Sequence, residues 1–134
     1  MGKCVIKIPK VSNIMFMIKV LARSYPEDNI VLINKSAIEA AINTSKYEAR
    51  YRSGSCLDKK VAVGARLFYE LIQLHPLSDG NKRLAAYVLA TYLYKNKLTI
   101  KKSVLKDLAL KVARGEISFE GVYRCLRRHV RRRS

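Results

Sequence analysis

Apolar residues recur along this chain with the three- and four-residue spacing of buried helix faces. The longer stripes lie within residues 14–21, 61–72, 84–93, 105–112 and 122–130. Each stripe predicts one helix, and a short Ala-rich stretch over residues 37–42, opened by Ser36 and Glu39 as a capping box, predicts a further one. The pattern therefore predicts an all-α fold of five to six helices without internal repeats.

The breaks between these stripes carry the other local signals. Ser12 is predicted to cap the first helix, and Pro26 lies in the segment that ends it. Residues 30–33 are the one stretch with strand character, which is enough for one arm of a small flap but not for a sheet. Residues 44–58 are polar, and we expect them to form a connection with little structure of its own.

A histidine followed by a proline separates the two central helices. The first of these helices is predicted to stop at His75, because a residue that precedes proline is disfavoured in the helical region. The second is predicted to begin near Asn81. Residues 75–83, here called the motif loop, should therefore join two buried helices.

Length and charge set the broad class of the protein. The 134 residues fit a single domain over residues 1–134. Its 27 Lys and Arg against 10 Asp and Glu leave a formal charge of +17, a field that attracts polyanions. This charge fits a nucleic-acid binder, an acidic protein partner or a proteome with a basic bias, and nucleic acid is the less favoured partner. Residues 124–134 form a basic C-terminal tail, which we expect to be a solvated charge run and the best polyanion-binding surface.

The cysteines and the N-terminal stretch bear on location. Three cysteines lie far apart and lack the spacing of a zinc site, so buried or idle thiols in a reducing cytosol are expected. A single disulfide between two of them stays an open alternative. Lys19 interrupts the first apolar stretch, and no small-residue cleavage site follows, which favours a helix over a secretory signal. No run is long enough to span a bilayer. We expect a cytoplasmic protein.

The motif loop combines the residue types that nucleotide chemistry needs. It leads into a helix N-terminus, where free N–H groups and the helix dipole hold anionic oxygens. Gly80 allows close approach of the backbone, Asn81 can donate a hydrogen bond, and Lys82 and Arg83 add positive charge.

Two side chains of the motif loop suit catalysis. Asp79 is the one acid of the loop, and a carboxylate beside a triphosphate is a common way to hold Mg²⁺. His75 has an intrinsic pKa near neutrality and can accept a proton from an attacking hydroxyl. Each residue alone is more commonly a cap or part of a turn. The ordered combination is far more specific.

The loop resembles the signature of the Fic/Doc superfamily, which contains His-x-Phe-x-Asp/Glu-Gly-Asn. His75, Asp79, Gly80 and Asn81 match that pattern, and Leu77 replaces the Phe that anchors the loop in the core. The resemblance also covers residues 38–42 and 108–117, and so most of the chain.

Two positions separate the branches of this superfamily. AMP-transferring Fic enzymes usually have Gly after the Asn and a second Arg three residues beyond the first, where this chain has Lys82 and Ala86. Asn81-Lys82-Arg83 is similar to the death-on-curing (Doc) branch. A lysine at a position where Gly leaves an open pocket should change the orientation of the triphosphate. The gamma phosphorus would then be presented to the target in place of the alpha phosphorus.

The resemblance implies a Fido helical fold with a small flap, and a toxin of a toxin–antitoxin pair that phosphorylates a translation elongation factor with ATP and Mg²⁺. His75 would activate the target hydroxyl, and Asp79 would hold Mg²⁺. The implied phosphate-binding residues are Ser78, Gly80, Asn81, Lys82 and Arg83, of which Lys82 and Arg83 would also take part in catalysis. The resemblance also implies an antitoxin partner, which would be acidic.

Two alternatives stay open. The first is a Fic-type adenylyltransferase that attaches AMP or another NMP. The second is a catalytically idle basic module that binds nucleic acid through the tail and residues 95–106. The self-inhibitory Fic motif, Ser/Thr-x-x-x-Glu-Gly/Asn, is not recognised here, because residues 44–48 are followed by Ala49.

Overall fold

A computed structural model describes residues 3–133. These residues form six helices and one two-stranded antiparallel ribbon. The helices are α1 (Val11–Ser24), α2 (Lys35–Tyr51), α3 (Cys56–Leu74), α4 (Asn81–Lys95), α5 (Lys102–Ala113) and α6 (Phe119–His129), and the strands are β1 (Leu98–Thr99) and β2 (Arg131–Arg132). The predicted all-α class with five to six helices is confirmed. Over the described residues, every helix is too short or too polar to traverse a lipid bilayer.

Helix α3 is the centre of the fold and packs on α2, α4, α5 and α6. Phe68 is its largest fully buried side chain. Gly64 allows α3 and α4 to approach closely, since a Cβ atom there would lie 2.9 Å from Leu89 Cδ1. The Tyr92 hydroxyl of α4 donates to the Lys60 carbonyl of α3 at 2.6 Å. The two helices that flank the motif loop are thus held rigidly against each other.

The predicted helix faces are buried, but one helix is longer than predicted. Helix α2 continues to Tyr51, so the prediction of an unstructured connection over residues 44–58 is wrong, and only residues 52–55 link α2 to α3. The polar side chains in this stretch have partners: the Ser45 hydroxyl donates to the Ile42 carbonyl, and Glu48 pairs with Arg52 and Arg66. Apolar periodicity alone misses a helix stabilised in this way.

The predicted N-caps of the first two helices are also wrong. Lys10 precedes α1, and its backbone N–H donates to Asn13 Oδ1 at 2.8 Å. Asn34 precedes α2, and Ser36 Oγ donates to Asn34 Oδ1. In both cases the cap lies two residues before the predicted serine.

A disulfide joins Cys4 to Cys56 at the start of α3. The expectation of idle thiols is therefore wrong for this pair, and the cysteines no longer support a reducing cytosol. Cys125 on α6 is a free thiol. The two bonded cysteines are 52 residues apart in sequence, and only the packing of the N-terminal segment against α3 brings them together.

Asp58 couples the start of α3 to α6. Its carboxylate accepts from the Ser55 backbone N–H and from Arg127 Nε at 2.7 Å, and the Ser55 hydroxyl accepts from the Asp58 N–H. The hydrogen bond from Arg127 is the main cause that lowers the pKa of Asp58 from 3.8 to about 2. The ionised form is therefore the one that stabilises the fold.

This lowered pKa predicts a pH dependence of stability. Because the pKa is lower in the folded state, the stabilisation by Asp58 is complete above about pH 4 and is lost as the pH falls toward about 2. We expect Asp58→Asn to lose less unfolding free energy than the wild type between these pH values, as measured by urea denaturation. Asp107→Asn is the control, since Asp107 is 71% exposed and its pairing with Lys111 is loose at 3.7 Å. Equal pH profiles for wild type and Asp58→Asn would contradict the prediction.

The basic segment at the C-terminus is folded where the structure describes it. Residues 124–129 belong to α6, and β2 pairs with β1 in the register Leu98 to Arg132 and Thr99 to Arg131. Ser134 lies outside the described residues.

Candidate active site

The motif loop connects α3 to α4 through two residues with left-handed backbone angles. His75 ends α3 with a φ of 50°, and Gly80 precedes α4 with a φ of 87°. Gly80 is favoured at the second position, because the angle disfavours a side chain and a Cβ atom would lie 3.3 Å from the Ile30 side chain. The two turns confine the loop to the junction of the helices.

The middle of the motif loop is anchored in the core. Leu77 is only 1% exposed. Its backbone N–H donates to Asn81 Oδ1 at 2.9 Å, and its carbonyl accepts from Asn81 Nδ2 at 3.0 Å. Each polar atom of the Asn81 side chain thus makes one hydrogen bond to the loop backbone, which leaves the second N–H of Nδ2 outside these bonds. In the structure this side chain holds the loop.

Residues 29–34, here called the flap segment, run antiparallel to the motif loop. The predicted strand character over residues 30–33 appears as one isolated bridge between Leu32 and Leu77, and not as a named strand. The Ile33 N–H donates to the Pro76 carbonyl at 2.8 Å, and the Ser78 N–H donates to the Val31 carbonyl at 2.9 Å.

The Ser78 side chain strengthens this contact. Its hydroxyl donates to the Asn29 carbonyl at 2.6 Å and accepts from the Val31 N–H at 3.1 Å. Ser78 therefore ties the motif loop to the flap segment through side chain and backbone together.

His75 is exposed at the end of α3. Its Nδ1 lies 3.1 Å from the Gln73 carbonyl oxygen. A carbonyl can only accept, so this contact selects the tautomer with a proton on Nδ1. Nε2 then carries a lone pair that faces away from this bond and can accept a proton from a substrate.

The N-terminus of α4 offers donors to an anion. Gly80 has no side chain to accept from the first N–H groups of the helix, and within the described residues no side chain caps them. These N–H groups and the positive end of the helix dipole favour a phosphate. Lys82 is exposed on the first turn and adds a charge.

Asp79 is suited to act as a magnesium ligand. Its side chain is exposed, and Oδ1 accepts from the Gly80 N–H at 2.8 Å, which leaves Oδ2 for a cation. The described residues contain no group of three or more His, Cys, Asp or Glu side chains that could hold a metal by themselves. A single carboxylate suits Mg²⁺, which keeps several waters and takes its remaining ligands from substrate phosphates.

Arg83 is held by two residues that the sequence did not indicate. Arg83 Nη1 donates to Asp28 Oδ2, and the guanidinium carbon lies 3.8 Å from the centre of the Tyr25 ring. The hydrogen bond to Asp28 is the main cause that raises the pKa of Arg83. The segment around Pro26 was predicted only to end the first helix, and no local pattern pairs Asp28 with a position 55 residues away.

The charged side chains of the motif loop lie at the surface of the protein. A cavity of about 760 Å³ lies between α5 and α6, and one of about 300 Å³ lies beside the ribbon. No residue of the motif loop lines either of them. His75, Asp79, Lys82 and Arg83 are instead exposed around the start of α4. Such an arrangement can receive a large partner, as a protein substrate requires.

The family model described as "Fic/DOC family" matches residues 12–93, which is more than half of the chain. The chain belongs to the Fic/DOC family. The matched range covers α2, α3, the flap segment, the motif loop and nearly all of α1 and α4, whereas α5 and α6 lie beyond it. No curated protein matches the sequence. Members of the Fic/DOC family are commonly transferases that act on proteins, so family membership indicates protein modification.

The helical position of residues 44–48 bears on self-inhibition. They lie on α2 and not in a polar connection. The Glu48 carboxylate is occupied by Arg52 at 3.0 Å and by Arg66 at 3.3 Å, while Arg83 pairs with Asp28. Glu48 is therefore paired with Arg52 and Arg66 and not with Arg83 of the motif loop.

Proposed function

We propose that this Fic/DOC protein is a Doc-type kinase that transfers the gamma phosphate of ATP to a hydroxyl of a protein. The observation that carries the proposal is the junction of α3 and α4. There the exposed His75 acceptor and the exposed Asp79 carboxylate flank a helix N-terminus without a side-chain cap. Lys82 follows the motif Asn in place of the Gly of AMP-transferring relatives, which favours the Doc branch.

The residues of the motif loop suggest how the reaction proceeds. His75 Nε2 accepts the proton of a target Ser or Thr hydroxyl, and the oxygen attacks the gamma phosphorus. The bond from that phosphorus to the bridging oxygen breaks, and ADP leaves. The N–H groups of α4, Lys82 and Arg83 stabilise the charge that develops on the phosphate oxygens. Mg²⁺ on Asp79 and the phosphates would neutralise part of the same charge.

Tyr25 and Asp28 support this chemistry by fixing Arg83. Asp28 occupies Nη1 and the Tyr25 ring covers one face, which leaves Nη2 and Nε for phosphate oxygens. A guanidinium oriented before the substrate arrives loses less entropy on binding.

The flap segment is suited to receive the target. Val31 and Ile33 are 49% and 63% exposed and alternate with the buried Ile30 and the half-buried Leu32. One edge of the segment is bonded to the motif loop. We propose that an extended target peptide lies against the exposed side, with its hydroxyl near His75.

Labelled ATP separates phosphate transfer from adenylyl transfer. The protein is incubated with a cell-free translation extract, Mg²⁺ and ATP labelled at either the alpha or the gamma position. We expect the gamma label to appear on a protein and the alpha label to stay in solution. Alpha label on protein without gamma label would replace the kinase proposal with the adenylyltransferase alternative, and label from neither position would exclude both.

The biological role follows from the same branch. We propose a cytoplasmic toxin of a toxin–antitoxin pair, with a translation elongation factor as target and a small acidic antitoxin as partner. The +17 charge would speed capture of such a partner. Translation in the extract should stop when the protein is added, and the labelled band should have the mass of an elongation factor.

A further inference from the structure

A groove of about 300 Å³ lies on a part of the molecule that the proposed kinase chemistry does not use. It is here called the ribbon groove and is lined by Cys56, Leu57, Lys60, Asn96, Lys97, Leu98, Arg132 and Arg133. These residues come from the start of α3, the end of α4 and the ribbon. Four of the eight are Lys or Arg, and none is acidic.

The cations of the ribbon groove lack acidic partners. Across residues 3–133, none of Lys60, Lys97, Arg132 and Arg133 forms an ion pair, whereas six of the acids pair with residues elsewhere. Like charges brought together in this way repel each other and so disfavour the fold. An anion bound between them would relieve this repulsion.

Backbone carbonyls hold two of these four cations in place. Lys60 Nζ donates to the Asn96 carbonyl at 3.3 Å, and Arg133 Nε donates to the Tyr94 carbonyl at 3.0 Å. The Arg132 backbone is fixed by its pairing with Leu98 in the ribbon. Two of the four cations are therefore positioned before an anion binds, which lowers the entropy cost of binding.

An aromatic side chain continues the groove. Tyr94 is 61% exposed, and the Arg133 guanidinium carbon lies 4.0 Å from the centre of its ring. Planar Arg and Tyr groups beside a row of cations are the combination on which bases of single strands stack while the phosphates follow the positive charge. An acidic peptide would use the charges but not this stacking surface.

We infer that the ribbon groove binds single-stranded nucleic acid, with backbone phosphates on Lys97 and Arg132 and a base stacked on the Arg133–Tyr94 pair. The volume is at the lower limit of small-molecule sites, roughly 300–1,000 Å³, and so suits one nucleotide unit, with the rest of the strand on the surface. This inference is independent of the proposed kinase activity, because no motif-loop residue lines the groove.

The test measures anisotropy of fluorescein-labelled oligonucleotides of 12 nucleotides, as RNA and as DNA, over a series of salt concentrations. The charge variant is Lys97→Asn with Arg132→Gln. Asn suits position 97, where φ is 65°. Each phosphate contact on a single strand contributes about 0.7 to the salt slope, so the variant should lower the slope by about 1.4 and the affinity in 0.1 M salt by about 25-fold.

Two further variants test whether the loss of affinity is specific to the ribbon groove. Lys19→Gln with Lys46→Gln removes the same charge from exposed positions of α1 and α2 and should leave the affinity almost unchanged. Tyr94→Leu should lower the affinity about 5-fold or more with an unchanged salt slope, because it removes stacking and not charge. Thermal melting of each variant checks that it is folded. The charge variant should also keep its transfer activity toward protein.

Several outcomes would overturn the inference. An absence of oligonucleotide binding would do so, as would an equal loss of affinity in the control charge variant. Tighter binding of a 12-base-pair duplex would exclude a site for single strands. If poly-glutamate of matched length binds as tightly as the oligonucleotides, the groove is a site for acidic protein segments. Comparison of the RNA and DNA arms then identifies which nucleic acid is preferred.

Discussion

Replacing His75 should lower the rate of transfer to protein by roughly 10²–10⁴-fold, the usual contribution of a general base. His75→Asn is the sharper variant, because Asn tolerates the left-handed backbone at this position, where φ is 50°, and has no basic nitrogen. Nucleotide binding should change little, since the α4 N-terminus, Lys82 and Arg83 are untouched. The measurement is the steady-state rate of label transfer from gamma-labelled ATP, together with the KM for ATP.

The control is His129→Ala, which removes the other histidine of the chain from α6. It should keep the wild-type rate. If His75→Asn also keeps that rate, His75 is not the base. If His75→Asn still arrests translation while loss of the ribbon-groove cations abolishes the arrest, the protein acts as a basic binding module and the enzymatic proposal is wrong.

Truncation of the loop anchor should have the largest effect on stability. Leu77 is 1% exposed in the core, and we expect Leu77→Ala to lower the free energy of unfolding by about 2–5 kcal/mol. Since the Leu77 backbone also carries both bonds from Asn81, the motif loop should loosen and the transfer rate should fall. Urea denaturation measures the free energy of unfolding, and amide hydrogen exchange at Ser78 measures the loosening of the motif loop.

Leu74→Ala provides the matched comparison, because Leu74 lies three residues away and is 38% exposed. Its cost should be well below that of Leu77→Ala. Equal costs would mean that Leu77 does not anchor the loop. Leu77→Phe restores the residue of the family signature and tests enlargement of the side chain in place of truncation. A larger side chain in a packed site typically lowers the free energy of unfolding by about 1–3 kcal/mol.

The helix faces could be predicted because burial imposes a regular spacing that a single chain displays. Ile14, Phe68 and Leu89 are fully buried where the stripes placed them. The second half of α2 could not be predicted in this way. It is accompanied by ion pairs from Glu48 to Arg66 on the next helix and from Arg52, just after α2, to Glu120 of α6. Such pairs are visible only once the helices have packed.

The motif loop, too, could be predicted from the sequence only in part. Its residue types and their order indicated nucleotide chemistry, and the chain belongs to a family whose members are commonly transferases that act on proteins. Sequence could not show that the Ser78 and Asn81 side chains bind the loop and the flap segment, because a polar side chain serves a ligand or the backbone equally well until its neighbours are known.

Local order along the chain was thus enough to predict five to six helices, the end of a central helix at His75, and the chemical groups of the motif loop. Tertiary packing alone brought Asp28 and Tyr25 to Arg83, joined Cys4 to Cys56, and gathered four cations beside the ribbon. The physical reason is range. Periodicity and backbone preference act over a few residues, whereas ion pairs, disulfides and shared surfaces join groups whose separation in sequence says nothing about their distance in space.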